Sequence, residues 1–311
     1  MRTLMTLAMV LTIMVFTPLP MYAADSQIAE SRLAVVTGNT IVQDITVHIG
    51  GARINATCLM QPGIDPHNYQ PVPEDVKRLA AAKVVIINGL GFEGWFEGLA
   101  KEAGFKGAIV VATKGIAPLT MESEDEHGHG HEHGHEKVDD PHAFNSIVNG
   151  VRYAENIRDA LIAADATGAD AYRSAASAYI TELRMADAAA KMQFATLTKA
   201  QRKLITNHDA LQYFAKEYGF EILAPNTALE DSQPSAKELA EVIDFIKRQG
   251  VKGVFLEFGK NEKIVGQIAK EAGVTIGPEL YLDGVGPSGS PASTYLGMFQ
   301  TNVRSIITSL K

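Results

Sequence analysis

Hydrophobic and polar positions follow two alternating patterns along the chain from about residue 32 onwards. Short runs of β-branched and aliphatic residues, such as 32–39 and 83–89, precede segments whose apolar residues recur every three or four positions. The first pattern predicts buried strands and the second predicts amphipathic helices. Glycines end several helical segments and Pro73 begins one, as helix boundaries favour. Strands that alternate with helices predict βαβ units and parallel sheets.

This alternation occurs twice, and a long segment without Gly or Pro lies between the two halves. Within residues 169–197 apolar residues recur at helical spacing, which predicts one helix of about 28 residues, roughly 42 Å long. We therefore predict an α/β protein with two Rossmann-like lobes joined by one long rigid α-helix, and a ligand site in the cleft between the lobes. The predicted bounds are 24–166 for the N-terminal lobe, 167–197 for the linker helix and 198–311 for the C-terminal lobe.

The first 23 residues have the pattern of a secretory signal peptide. Arg2 precedes an apolar run from about Leu4 to Phe16, and two prolines and then small residues follow it. The run is too short for a membrane-spanning helix. Because no cysteine directly follows the run, we expect a mature chain that is free in an exported compartment and not anchored to a membrane.

The composition is typical of a soluble globular protein and argues against some partners. The 311 residues are 46 % hydrophobic and 21 % charged, and the formal net charge is −8. An acidic chain is a poor match for nucleic acid or an anionic membrane surface. The single cysteine, Cys58, excludes an intramolecular disulfide. Its apolar neighbours indicate a small buried side chain rather than a metal ligand or a reactive thiol.

Residues 125–142 contain six of the nine histidines of the chain. In the tract HGHGHEHGH, histidines alternate with Gly and Glu, a composition that cannot form a buried core, so we predict a disordered loop over 122–138. Imidazoles on a flexible chain bind Zn²⁺, Cu²⁺ or Ni²⁺ weakly, because binding must order the loop. We assign accessory, low-affinity metal binding to five histidines: His127, His129, His131, His133 and His135.

Three further histidines lie where a strand or loop passes into a helix, the position at which α/β sheets bind ligands. His67 and His142 each follow Asp-Pro, in which proline fixes φ just before the histidine. His208 directly follows a predicted strand, and Asp283 precedes a glycine-rich segment. Two of these residues come from each half, so all four can meet in the cleft. Three imidazoles and one carboxylate suit tetrahedral Zn²⁺. His48 lies within a helical pattern, and we assign it a structural role.

These motifs resemble those of the zinc- and manganese-binding periplasmic solute-binding proteins of ABC transporters, the cluster with a rigid helical linker. The resemblance extends over essentially the whole mature chain and is carried by residues 63–95, 140–157, 205–219 and 281–302. It implies a metal site made of His67, His142, His208 and Asp283. Family members that resemble manganese binders carry Glu at the third of these positions, where this chain has His208. A nitrogen ligand is softer than a carboxylate oxygen, so His208 favours Zn²⁺ over Mn²⁺.

The resemblance also implies a function. We expect a monomeric, non-enzymatic zinc-uptake protein of a Gram-negative periplasm that captures Zn²⁺ as transported ligand and delivers it to an ABC permease. A periplasmic zinc-donating protein is a further candidate partner. The tract histidines are expected to raise local zinc capture or to pass metal inward.

Three alternatives remain open at this point. The first is a manganese-binding protein of the same type. The second is a zinc hydrolase, in which Asp283 stays off the metal and Glu257 acts as a base, although no HExxH motif is present. The third is a zinc-buffering or adhesion-type surface protein that has no transporter.

Overall fold

Parallel strands and amphipathic helices make up the parts of the chain that the computed structural model describes. These parts are residues 32–122, 137–206, 209–223, 235–251, 253–260 and 262–311. The predicted signal peptide, the five tract histidines and His208 lie outside the described residues. Every element and contact below belongs to the described ranges.

A four-stranded parallel sheet forms the centre of the N-terminal lobe. Its elements in chain order are β1 (Leu33–Thr37), α1 (Thr40–Gly50), β2 (Ile54–Cys58), α2 (Pro73–Ala81), β3 (Val84–Ile87), α3 (Phe96–Glu102) and β4 (Ala108–Val111). The strand order is β2-β1-β3-β4, and every neighbouring pair is parallel. The predicted βαβ organisation of this lobe is therefore confirmed.

A short hairpin and two helices follow the sheet. Strands β5 (Thr120–Glu122) and β6 (Lys137–Asp139) pair antiparallel, and α4 (Ile147–Ala164) and α5 (Ala169–Phe194) come next. We predicted a disordered loop over 122–138. At its two ends this prediction is wrong, because Glu122, Lys137 and Val138 take part in the pairing of β5 with β6. The sequence pattern did not predict these two strands, because three residues are too few to show a hydrophobic period. It also did not predict helix α4.

The long helix α5 is part of the core as well as a connection. Its 26 residues span about 39 Å. The positions that the spacing predicted to be apolar and inward-facing are buried: Tyr172, Ala176, Tyr179, Leu183, Ala186, Ala190 and Phe194. The helix packs against α1 and α4 of the N-terminal lobe and against the last helix of the chain. Contacts with both lobes along its length make it a rigid connection.

The C-terminal lobe repeats the alternation of strand and helix. Its elements are β7 (Lys203–Ile205), α6 (Gln212–Tyr218), β8 (Glu221–Leu223), α7 (Ala236–Gln249), β9 (Gly253–Glu257), α8 (Glu262–Ala272), β10 (Thr275–Leu280) and α9 (Tyr295–Leu310). The pairs β7–β8 and β9–β10 are parallel. Helix α6 ends at Tyr218, and Gly219 caps it with a φ of 69°, which suits glycine.

Three hydrophobic clusters hold the lobes. The largest joins β1 and α1 of the N-terminal lobe to α4, α5 and α9, and the second lies between β9, α7 and α8. A third cluster covers the other face of the N-terminal sheet. None of the described helices combines the length and the apolar character needed to cross a bilayer.

His48 connects α1 to the long helix. Its imidazole stacks on Tyr179 with ring centroids 4.8 Å apart, and its Nδ1 lies 3.4 Å from a carboxylate oxygen of Asp44. The hydrogen bond to Asp44 raises the pKa of His48 to about 9, which outweighs the lowering by burial. Asp44 also accepts a hydrogen bond from the backbone N–H of Tyr295, at the start of α9. These contacts agree with a structural role for this histidine.

The raised pKa of His48 predicts a pH-dependent contribution to stability. A histidine whose pKa is higher in the folded state stabilises fully below its unfolded pKa of about 6.5, and this contribution is lost as pH rises through about 9. Because the side chain is 41 % exposed, we expect at most about 1 kcal/mol. The melting temperature of His48→Gln should fall below that of the unsubstituted chain at pH 6, with a smaller difference at pH 9.5. An equal difference at both pH values would contradict this.

Candidate metal centre

The two Asp-Pro-His repeats form the same local turn. In each, the aspartate Oδ1 accepts a hydrogen bond from the backbone N–H of the histidine two residues later. The distance is 2.9 Å both for Asp65 with His67 and for Asp140 with His142. Aspartate commonly forms such side-chain turns. The repeat therefore presents both imidazoles from a fixed backbone, as the sequence indicated.

Each turn is also held by a side chain of the N-terminal lobe. The indole Nε1 of Trp95 donates to the carbonyl of Pro66 at 3.0 Å, and the amide of Asn88 donates to the carbonyl of Pro141 at 2.9 Å. Asn88 is itself held, because its backbone N–H donates to the buried carboxyl group of Glu93 at 2.9 Å. Burial raises the pKa of Glu93 despite the hydrogen bonds that it accepts. The second turn thus lies on a buried polar network, and the first is held by the indole of Trp95.

His67, His142 and Asp283 converge across the cleft. The two Nε2 atoms lie 3.2 Å apart, His142 Nε2 lies 3.4 Å from Asp283 Oδ1, and His67 Nε2 lies 3.9 Å from Asp283 Oδ2. Ligand atoms around tetrahedral Zn²⁺ with bonds of 2.0–2.1 Å are separated by about 3.3–3.4 Å. The two shorter separations are close to that value. These three residues could therefore hold a small divalent cation. Within the described part of the chain, they form a cluster of potential metal ligands.

Asp140 sets the orientation of the His142 ring. Both side chains are fully buried, and His142 Nδ1 lies 2.8 Å from Asp140 Oδ1. Because a carboxylate accepts, Nδ1 is the donor in this hydrogen bond, which leaves Nε2, on the side of His67 and Asp283, as the ring nitrogen that could bind a metal. A carboxylate behind a histidine in this way fixes the tautomer and raises the basicity of the ligating nitrogen. The backbone carbonyl of Asp140 accepts a hydrogen bond from the Tyr213 hydroxyl of the C-terminal lobe at 2.8 Å.

Asn145 joins three segments that carry predicted ligands. It lies three residues after His142, and its side-chain amide donates to the carbonyl of Leu282 at 3.0 Å and to the carbonyl of Ala210 at 2.9 Å. Leu282 immediately precedes Asp283, and Ala210 lies two residues after His208. Asn145 is 3 % exposed, so these bonds are shielded from water. No local pattern in the sequence singles out this residue.

The remaining predicted residues occupy different positions. His208 and the five tract histidines lie outside the described residues. Glu257 is buried at the end of β9 and, with Asp283, lines a cavity of about 210 Å³ beside the site. Cys58 as a whole residue is partly exposed, but the loss of water around its sulfur raises the pKa of the thiol to about 11. Such a thiol is a poor nucleophile and a poor metal ligand at neutral pH, in agreement with a packing role.

We predict that Asp140→Asn weakens divalent metal binding by about 10- to 100-fold, the range that is typical for such carboxylates behind a histidine ligand. An asparagine oxygen can still accept both hydrogen bonds from His142, so the change chiefly removes negative charge. Competition against a chromophoric chelator would measure the affinity, and circular dichroism would verify folding. Asp139→Asn, which alters the exposed neighbour, is the matched control. Equal affinities for the Asp140 and Asp139 variants would contradict this role for Asp140.

Known proteins resemble this chain over nearly its full length. It is 32 % identical to the manganese-binding lipoprotein MntA of Bacillus subtilis (strain 168) over 288 residues, which are 91 % of each chain. It is also 32 % identical to the iron-binding protein YfeA of Yersinia pestis, over 88 % of this chain and 85 % of the relative. Among solved structures, the periplasmic zinc-binding protein TroA of Treponema pallidum superposes with a TM-score of 0.79 at 25 % identity. That superposition covers 90 % of this chain and 99 % of TroA.

The likeness to TroA confirms the α/β fold with two lobes and a long connecting helix. The family described as ZnuA, the periplasmic component A of a zinc-uptake complex, matches residues 35–309. This family is a substrate-binding component of transport and not an enzyme, so the zinc hydrolase with Glu257 as base is not retained. With a family match over most of its length, the chain belongs to the ZnuA family of periplasmic zinc-uptake components.

Proposed function

We propose that this chain captures Zn²⁺ in the periplasm and delivers it to an ABC permease for import. Its ligands would be His67, His142, His208 and Asp283. The observation that carries the proposal is the convergence of two imidazole nitrogens and a carboxylate at spacings close to those of a tetrahedral zinc shell. A shell completed by a fourth protein ligand leaves no position for an activated water, which suits capture and release rather than catalysis.

The identity of the metal rests on ligand chemistry, because the relatives differ. Those described above are named for manganese, iron and zinc. Three imidazole nitrogens with one carboxylate form a borderline-soft set that favours Zn²⁺, whereas carboxylate and other oxygen ligands suit Mn²⁺. His208 is therefore the residue on which the preference for zinc depends. A manganese-binding protein of the same type is the second candidate.

The hairpin supports an accessory role for His127, His129, His131, His133 and His135. Strands β5 and β6 enclose residues 123–136 between them, and β6 leads directly into Asp140 and His142. The backbone N–H of Asp140 also donates to the carbonyl of Leu119, at 2.7 Å. The tract is thus attached at both ends near the turn that carries His142. A tethered weak chelator raises the local zinc concentration without a second diffusional search.

The partners and the location complete the proposal. We place the protein in the periplasm as a monomer, with residues 1–23 as a cleaved signal peptide. We propose bounds of 24–166 for the N-terminal lobe, 167–197 for the linker helix and 198–311 for the C-terminal lobe. An ABC permease receives the metal, a zinc-donating periplasmic protein is a further candidate partner, and nucleic acid is not one. The alternative of a surface protein without a transporter is disfavoured by membership in a family of uptake-complex components.

Substituting the third ligand tests the metal preference. We expect His208→Glu to lower zinc affinity by more than tenfold and to reduce the preference for Zn²⁺ over Mn²⁺, because an oxygen donor replaces a nitrogen donor. Competition titrations with each ion, using the same chelator, would measure both effects. His48→Glu introduces the same change outside the site and should leave both affinities unchanged. Unaltered zinc affinity in His208→Glu would remove His208 from the ligand set.

A further inference from the structure

An ion pair joins the two lobes beside the candidate metal centre. The ammonium group of Lys260, in the loop after β9, donates to Asp65 Oδ2 at 3.1 Å. The two residues are 195 positions apart in the chain, and each side chain is about one-third exposed: 36 % for Lys260 and 33 % for Asp65. The pair therefore connects the loop of the first Asp-Pro-His repeat to the C-terminal lobe.

Asp65 uses its two oxygens for different purposes. While Oδ2 accepts from Lys260, Oδ1 accepts the backbone N–H of His67 at 2.9 Å. In the second repeat, Asp140 Oδ1 accepts both the backbone N–H and the ring Nδ1 of His142. The two repeats thus differ. Asp140 orients the ring of His142, whereas Asp65 connects the turn of His67 to the C-terminal lobe.

The backbones of the two lobes approach closely next to this pair. A Cβ atom at Gly259 would lie 3.3 Å from the carbonyl oxygen of Gly63, and one at Gly63 would lie 3.3 Å from the ring of Phe258. Both glycines have positive φ, 81° for Gly63 and 89° for Gly259, which is unfavourable for other residues. This edge of the cleft is therefore built for close contact between the lobes.

The cavity of about 210 Å³ beside the metal centre is lined by residues of both lobes, and its charge is mainly negative. Asp65, Glu257 and Asp283 line it, and Lys260 supplies the positive charge among its described lining residues. Burial lowers the pKa of Lys260, but the nearby carboxylates of Glu257, Asp65 and Asp283 outweigh burial and raise it. The pair thus joins an ammonium group of one lobe to a carboxylate of the other.

We propose that Lys260 is a positioning residue that slows the escape of bound metal by holding the His67 turn against the C-terminal lobe. The proposal rests on the proposed function, because it takes His67 and Asp283 as ligands of the captured ion. Without the ion pair, the turn that carries Asp65 and His67 can move away from the C-terminal lobe, and His67 can move away from Asp283. Metal then dissociates faster. Association is not slowed, because removing a positive charge makes the cavity more attractive to cations.

The dissociation rate of Zn²⁺ from the full chain tests this role. Zinc-loaded protein would be mixed with excess chelator in a stopped-flow instrument, and the off rate would be compared with that of Lys260→Met. We expect the variant to release zinc about two- to fivefold faster, the effect of an ion pair this exposed. Lys260→Arg restores the pair and should release zinc at nearly the original rate. Lys77→Met breaks a pair within α2, between Lys77 and Glu74, and is the matched control.

Salt gives a second measurement that a general loss of stability would not reproduce. Because a partly exposed ion pair is screened by salt, raising NaCl from about 0.05 to 0.5 M should speed zinc release from the unsubstituted chain more than from Lys260→Met. Equal off rates for the unsubstituted chain and Lys260→Met, or an off rate of Lys260→Arg as high as that of Lys260→Met, would overturn the role proposed for Lys260. Tight zinc binding and the proposed function would still stand. An unsubstituted chain that binds no zinc tightly would overturn both.

Discussion

The structure of the cleft depends on one buried amide. Asn145 donates both of its side-chain hydrogens across the cleft, to the carbonyls of Leu282 and Ala210. These carbonyls belong to the segments that carry Asp283 and His208, and Asn145 itself follows His142 by three residues. A buried carbonyl that lost its partner would cost about 1–3 kcal/mol, so the three segments are strongly held in one arrangement. The amide thus fixes the distance between the lobes where the ligands must meet.

Given this constraint, the ligand side chains need little further adjustment. Asp140 holds His142 from behind, and Asn88 and Trp95 hold the carbonyls of the two Asp-Pro-His turns. Ligands that protein contacts already orient lose less entropy on binding a metal than ligands on a free loop. The contacts around the cleft therefore preorganise its ligands, whereas the Gly- and Glu-rich composition of the histidine tract predicts that metal binding there must first order the chain.

The strand–helix alternation and the inward face of the long helix could be predicted from the sequence, because both follow from hydrophobic periodicity. His67 and His142 could be found because an Asp-Pro-His repeat encodes its own turn. The sequence signal for Asp283 was weaker, because only the glycine-rich segment after it and the family resemblance pointed to it. Hairpin β5–β6 was not predicted, because short strands carry almost no periodic signal.

Asn145 and the Lys260–Asp65 pair could not be found in this way. Their roles depend on residues between 65 and 195 positions away, and no local pattern records such contacts. Asp140 differs, because its partner is local: its place in the motif was visible, but an Asp-Pro-His motif does not record which atoms of the histidine the carboxylate contacts. Sequence therefore predicted the proposed metal ligands better than the residues that hold them in place.

The central claim is that the cleft, and not the histidine tract, binds zinc tightly. The most direct test is a chelator-competition zinc titration of the untagged mature chain in which a short Gly-Ser bridge replaces residues 123–136, the segment between β5 and β6. Our account predicts that one tight zinc equivalent remains, because His67, His142, His208 and Asp283 are all retained. Loss of tight binding would contradict it and would make the histidine tract itself the working site.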